Sequence, residues 1–204
     1  MRRRPQLVIF LRAPQRGAVK RRLARDIGPG AAHDFYLRTS RALIARLTGH
    51  AGWRVILAVT PDRLARSGRF WSPALPRLPQ GPGGLDRRMA RVLRRLPPGP
   101  VVIVGSDVPG LTAAHIDEAF ARLAVHEAVF GPAADGGYWL IGLARRRLAA
   151  AALAPRLFKG VRWSSASALK DTRANLPPGA EGAPLELLED VDDAAAWRRH
   201  RASA

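Results

Sequence analysis

Short apolar runs alternate along this chain with longer stretches whose apolar residues recur at helical spacing, and this alternation constrains the fold more than any other feature. Leu7-Val-Ile-Phe-Leu11 and Val101-Val-Ile-Val104 contain no polar residue. Such runs suit strands buried on both faces of a parallel sheet. Trp53 to Thr60 reads as a further strand, closed by Pro61 and Asp62. Ala128 to Phe130 and Tyr138 to Leu143 read as two strands about a turn, and Leu185 to Leu188 as a late short one. Residues 67 to 84 are rich in Pro and Gly and read as loop with a short strand near Leu78. Between the strands, Tyr36, Leu43, Ile44 and Leu47 give an imperfect helical stripe. Leu85, Met89, Val92, Leu93 and Leu96 give a clean one, as do Ile116, Ala119, Phe120 and Leu123 with Thr112 placed to cap. Ser164 or Ser165 is positioned to open a helix reaching about Asn175, and Asp192 or Asp193 to cap a terminal helix through His200. Strands separated by helices predict an α/β single-domain three-layer sandwich around a mostly parallel sheet.

A chain of 204 residues suits one domain. Cysteine is absent, which excludes disulfides, thiolate metal sites and cysteine nucleophiles. The apolar runs are far too short to span a bilayer, and the basic stub Met1–Pro5 carries no signal-peptide pattern, so a cytoplasmic protein is expected. The formal charge is +18, and of 34 basic residues only Lys20, Lys159 and Lys170 are lysine. Arginine, alanine, glycine and proline share GC-rich codons, which accounts for much of that charge without a nucleic-acid partner. The tryptophans form no stacking series, so a basic nucleic-acid binder is the less favoured reading. The five histidines have no metal-binding spacing.

In open α/β sheets ligands bind beyond the carboxyl ends of the strands. Four such places carry chemistry. After the first strand, Arg12-Ala-Pro-Gln-Arg-Gly17-Ala-Val-Lys20-Arg-Arg22 brings glycine and cations between strand and helix, an arrangement that suits a phosphate; a solvated basic turn is the alternative. After Val104, Gly105-Ser-Asp107-Val-Pro109 places a carboxylate where it can hold a hard divalent cation or cap turn amides. Gly131-Pro-Ala-Ala-Asp135-Gly136-Gly137-Tyr138-Trp permits a sharp turn or close approach to a ligand. In Glu189-Asp190-Val-Asp192-Asp193, alternate carboxylates of an extended segment share a side, so Asp190 and Asp192 can chelate together; Asp192 or Asp193 can also cap the helix that follows, and the two readings are compatible. Carboxylates gathered at strand ends beside a basic loop, in a chain with only 16 acidic residues, predict a metal-assisted phosphate site.

The residues Pro14-x-x-Gly17-x-x-Lys20-x-Arg22-Leu23, Gln80 to Leu85 to Arg88-Met89, Gly105-x-Asp107-x-Pro109, Gly131-Pro-x-x-Asp135-Gly-Gly-Tyr138, Phe158 to Trp163-Ser164 and Asp190-Val-Asp192 occur collinearly over nearly the whole chain. In combination they resemble a bacterial family of uncharacterised glycosyltransferase-A-fold proteins, the radical-SAM/selenodomain-associated transferases. That family is itself distantly similar to sugar-phosphate nucleotidyltransferases and to the guanylyltransferases of deazaflavin synthesis. The resemblance implies a nucleotide-diphospho-sugar transferase type of fold, with a nucleotide-binding half over about 1–110 and an acceptor half over about 111–204. It implies a transferase of nucleotidyl or glycosyl groups that uses a nucleotide or nucleotide sugar, a small acceptor and Mg²⁺ or Mn²⁺. It implies Asp107 and Lys20 as catalytic residues, with Arg12, Gly17, Lys20, Arg22 and Arg88 at the nucleotide. Asp135, Gly136, Gly137, Tyr138 and Trp163 are implied at the acceptor, and Asp107, Asp190 and Asp192 at the metal. Arg21 stands where the family has threonine, and Gly84 where it has aspartate. A non-catalytic nucleotide-binding scaffold is therefore the alternative. Lys20, on a strand–helix loop, is expected to be exposed.

Overall fold

The computed structural model describes residues 4–67, 69–146, 156–182 and 184–202. Its strands are β1 (Gln6–Arg12), β2 (Arg54–Thr60), β3 (Arg77–Pro79), β4 (Val101–Val104), β5 (Ala128–Pro132) and β6 (Tyr138–Leu143). The helices are α1 (Arg21–Ile27), α2 (Pro29–Leu47), α3 (Asp62–Ser67), α4 (Leu85–Arg95), α5 (Ala113–Arg122), α6 (Ala168–Ala174) and α7 (Ala194–Ala202). The strands form one six-stranded sheet in the order β3-β2-β1-β4-β6-β5. The first four are parallel, β6 runs antiparallel to β4, and β5 antiparallel to β6.

The two-residue period of each strand sorts its side chains to the two faces. Leu7, Ile9 and Leu11 of β1 enter one core with Leu43, Ile44 and Leu47 of α2, Ala65 of α3, and Ile116 and Ala119 of α5. Val8, with Ile56 and Ala58 of β2, enters a second core with Met89, Val92 and Leu93 of α4, while Leu169 of α6 packs against its edge. These are the two outer layers of the expected sandwich. A third cluster joins Leu23 of α1, Ala32 and Phe35 of α2, and Val191, Ala194 and Ala196. It carries the chain's last acidic segment back to the β1–α1 loop.

Local chemistry sets several boundaries. Gly28, at φ 84°, and Pro29 start α2 earlier than its apolar stripe suggests, because proline at the first helical position has no orphaned N–H. Thr112 takes the N-cap of α5, and its backbone N–H donates to Nδ1 of His115 at 3.0 Å. The helix expected from Ser164 or Ser165 begins only at Ala168: Ser164 has φ 59°, and Ser165 Oγ turns back to donate to the Arg162 carbonyl at 2.7 Å. The strand expected over Leu185–Leu188 does not form. Only Leu185 and Leu188 donate to β5, to the carbonyls of Phe130 and Pro132, and a three-residue step is not a parallel ladder.

Several arginines brace the fold. Arg46 Nη1 donates to the carbonyls of Pro109 and Leu111, Arg91 Nη1 to those of Gln80 and Pro82, and Arg146 Nη1 to those of Leu123 and Ala124. No helix among the described residues is long and apolar enough to cross a membrane.

Candidate functional site

Strand order reverses at β1. From it the chain moves outward to β2 and β3, then returns to add β4 on the other side. This is a topological switch point, where the connections diverge and leave a crevice beyond the strand ends. The β1–α1 loop and the Gly105–Pro109 turn both open there. Because β6 is antiparallel, its first residue, Tyr138, and the preceding Ala133–Gly137 turn lie at that same edge.

Lys20 is the hinge of the arrangement. It stands at the N-cap of α1 in the left-handed region, φ 47° and ψ 46°. Its side chain is 4% exposed, so the expectation of a solvated lysine is wrong. The reason is tertiary: Nζ lies 2.7 Å from Asp107 Oδ1 and 2.7 Å from Asp192 Oδ1, and the two aspartates cover it. The two carboxylate oxygens are therefore within twice that distance of each other. The contact with Asp192 is a directed hydrogen bond; Asp107 Oδ1 is buried and has an ion pair without that direction. Burial pulls the Lys20 ammonium toward deprotonation, but the charges of Asp107 and Asp192 more than offset it and hold its pKa above the ordinary lysine value.

Each aspartate is fixed by its backbone. Gly105 N–H donates to the Trp139 carbonyl, which ties the end of β4 to β6, and Val191 N–H donates to the Asp107 carbonyl at 2.9 Å. The helix cap of α7 falls to Asp193, whose Oδ1 accepts from Ala196 N–H at 2.9 Å. That leaves Asp192 to Lys20, which settles the choice the sequence left open. Tyr36 of α2 braces the other wall. Its hydroxyl donates to the Arg12 carbonyl at 2.7 Å and accepts from the Arg12 N–H at 3.0 Å. Burial, with the negative charge of Asp107, pushes its pKa well above that of an ordinary phenol.

Two cavities meet at Asp107 and Ser106. The first, of about 610 Å³, is a basic cleft walled by Arg12, Lys20, Arg21, Arg22 and Arg88 with Asp192. Arg88 is steadied by its Nε–H donating to the Gly83 carbonyl at 2.7 Å. Gly17, at φ 73°, turns the loop but does not line the cleft. The second, of about 330 Å³, is walled by Phe10, Met89, Ile103, Tyr138 and Trp163, with Asp135 and Asp190. Gly137 lines it too, and its N–H donates to Asp135 Oδ1 at 2.8 Å. Gly136 does not: at φ 84° it lies against the 166 segment, and a Cβ there would meet the Ala166 carbonyl oxygen at 2.5 Å. Tyr138 packs edge-on to Phe130 and Trp163.

Asp190 and Asp192 remain neighbours but open on different cavities, the apolar one and the basic one. Burial, then the charges of Asp192 and Asp135, raise the Asp190 pKa to about 6. Among the described residues no three metal-ligating side chains are close enough to hold an ion by themselves. Sequence reasoning assigned no site role to Tyr36, or to Phe10, Leu85, Ser106 and Ser164, which border both cavities. Of these, Leu85 reads as a core position in its helical stripe yet is 39% exposed. Ser164, like Lys20, is one of three described non-glycine residues with positive φ, and strain of this kind collects at functional sites.

A family described as uncharacterised proteins conserved in bacteria, DUF2064, matches residues 43–165. No curated protein matches the chain. Among solved structures, a candidate nucleotide-diphospho-sugar transferase from Desulfovibrio desulfuricans G20 superposes with TM-score 0.82 at 22% identity, over 97% of this chain and 95% of that one. The 4-diphosphocytidyl-2C-methyl-D-erythritol synthase of Anaerococcus prevotii superposes with TM-score 0.62 at 11% identity, over 98% and 95%. Rv0371c of Mycobacterium tuberculosis, in complex with manganese, superposes with TM-score 0.59 at 17% identity, over 98% of both chains. The fold is that of the nucleotide-diphospho-sugar transferases.

Proposed function

The chain belongs to the DUF2064 family, and from that premise we propose that it is a divalent-cation-dependent transferase that takes a nucleotide or nucleotide sugar in the basic cleft and a small acceptor in the apolar cavity. The observation that supports this most is the meeting of Lys20, Asp107 and Asp192 at the switch point of the sheet, between those two cavities. In this reading residues of about 1–110 hold the nucleotide and residues of about 111–204 shape the acceptor side.

The donor set fits a hard cation such as Mg²⁺ or Mn²⁺. Asp107 and Asp192 already share one positive charge, and Asp107 Oδ1 is buried without a directed hydrogen bond. Ions of this class are commonly held by only one or two carboxylates plus substrate phosphates, so a third protein ligand is not required. Asp107 and Asp192 would hold the ion, with Asp190 on its flank. When bound, it supplies positive charge to the phosphate oxygens. The manganese in the structure of Rv0371c lends support.

The chain's own residues supply the rest. Lys20, Arg12, Arg22 and Arg88 neutralise phosphates as charge-assisted donors, and Gly17 lets the loop turn toward them. Tyr36 holds the end of β1 in place through the Arg12 backbone. Asp135, Gly137, Tyr138 and Trp163 shape the acceptor cavity, and Gly136 seats its turn. Catalysis of this kind rests on positioning and on charge fixed before the reaction, so no protein nucleophile is needed.

One observation favours a second reading. Lys20 already pairs with both Asp107 and Asp192, as would suit a non-catalytic nucleotide binder that takes no metal. Thermal shift separates the two. A nucleotide or nucleotide sugar at 100 times its dissociation constant adds about 2.7 kcal/mol, several degrees for a chain this long. A shift that needs Mg²⁺ or Mn²⁺ supports the transferase; the same shift with chelator supports the scaffold; no shift with any nucleotide refutes both.

A further inference from the structure

The protein carries 34 basic and 16 acidic residues, yet the apolar cavity has three aspartates, Asp107, Asp135 and Asp190, and no Lys, Arg or His among its described lining residues. The basic cleft next to it shows the opposite balance. So sharp a separation between cavities that share Asp107 as their one charged residue is a statement about what each cavity admits. We propose that the acceptor taken by the apolar cavity has an apolar body bearing a hydroxyl or amine group and carries no phosphate or carboxylate.

This deepens the transferase reading and rests on it. An anionic acceptor would have to shed water against Asp135 and Asp190 with no Lys, Arg or His among the described lining residues to repay the loss, and a divalent ion on Asp107 would already be taken up by the phosphates of the nucleotide. A hydroxyl or amine meets groups suited to it. The carboxylates accept its hydrogens, and the Trp163 indole lines the same cavity beside them. The faces of Tyr138 and Trp163, with Phe10, Met89 and Ile103, accommodate the apolar body. They also favour an amine over a carboxylate, because the ring faces are negative.

The consequence for the reaction is specific. A phosphate acceptor is then excluded, and a hydroxyl or amine acceptor suits glycosyl transfer from a nucleotide sugar. The acceptor's oxygen or nitrogen forms the new bond to the anomeric carbon of the nucleotide sugar. The bond from that carbon to the diphosphate breaks, and its electron pair leaves with the nucleoside diphosphate. The acceptor's proton passes to a carboxylate of the cavity.

The test uses probes of one body and different charge: 2-phenylethylamine, 2-phenylethanol, 3-phenylpropionate and 2-phenylethyl phosphate. Binding is read at the Trp163 indole N–H in ¹⁵N spectra of the whole chain, assigned by its loss in Trp163→Phe. The amine and the alcohol are expected to move this signal at millimolar concentration, at least about tenfold more strongly than either anion, although the +18 net charge favours anions elsewhere on the surface. The double variant Asp135→Asn/Asp190→Asn, checked for a native spectrum, should remove that preference. The proposal is overturned if either anion moves the Trp163 signal as well as the amine does, if neither amine nor alcohol moves it, or if a natively folded double variant keeps the full preference. Should the double variant not fold, the four probes on the parent chain decide alone. The outcome is independent of the nucleotide experiment: no nucleotide binding would sink the transferase reading and leave this charge preference measurable.

Discussion

Replacing Lys20 with methionine keeps the alkyl stem and deletes only the charge that Asp107 and Asp192 share. Both contacts are 2.7 Å, and the lysine side chain is 4% exposed against 41% and 44% for its partners. An exposed pair would be worth about 0–1 kcal/mol. Here the deletion also leaves two carboxylate oxygens no farther apart than twice 2.7 Å, a repulsion of about 3 kcal/mol at an effective dielectric constant near 20. Their exposure screens much of that, and the variant no longer buries an ammonium, so the net loss should be about 1–2 kcal/mol. At about 2–4 °C per kcal/mol for a chain of this size, melting should fall by about 2–8 °C at pH 7. The folded pKa of Lys20 is raised, so this contribution is fully present below its ordinary value of 10.5 and disappears as pH climbs through the higher folded value. Differential scanning calorimetry without metal gives the loss. Repeating it with Mn²⁺ tests the cause: the vacated carboxylates should bind the ion more tightly than in the parent, and the variant should regain more of its melting temperature. An unchanged melting temperature, or a Mn²⁺ response no larger than the parent's, would refute the idea that Asp107 and Asp192 together can hold a divalent ion.

Asp190→Asn should stabilise the metal-free protein at pH 7 by about 1 kcal/mol after solvent screening, because it removes a carboxylate raised to about 6 by burial and by Asp192 and Asp135. A folded pKa above the unfolded one means the native state loses stability as pH rises from about 4 to 6, so the gain should shrink on acidification through that window in calorimetric scans. Asp193→Ala deletes the cap of α7 and should cost about 1 kcal/mol in denaturant titrations while nucleotide affinity stays unchanged. Gly136→Ala combines φ 84° with a methyl 2.5 Å from the Ala166 carbonyl oxygen; it should cost more than about 1 kcal/mol and shift the Trp163 signal.

The chain's alternation of strands and helices was legible because each strand of the parallel core is apolar on both faces. Even β3, three residues in a Pro- and Gly-rich stretch, shows at Leu78. The short helices α1 and α3 were not legible. Each has a single buried residue, Leu23 and Ala65, and so no stripe to read. The extended segment at Leu185–Leu188 copies a strand in composition, but whether β5 offers it a ladder depends on the partner, not on its own residues. At the site, the strand-end rule pointed to Lys20, Asp107, Asp190 and Asp192, of which Lys20, Asp107 and Asp192 are in contact. The burial of Lys20 lay beyond it, since the two aspartates that cover it come from distant segments, Asp192 being 172 residues away in the chain. Tyr36 gave no signal either, because a phenol within a helical stripe reads as core until its hydroxyl is seen on the Arg12 backbone.

The most direct test of the central claim is nucleotide binding by isothermal titration calorimetry in the parent and in Asp107→Asn, each with Mg²⁺ and with chelator. Asparagine keeps the size and much of the hydrogen bonding of aspartate, so a turn residue would tolerate it, whereas a ligand of a hard cation would not. The account predicts binding in the parent that requires Mg²⁺, and none of that Mg²⁺-dependent binding in a folded Asp107→Asn. Equal affinity and equal Mg²⁺ dependence in the two proteins would contradict it.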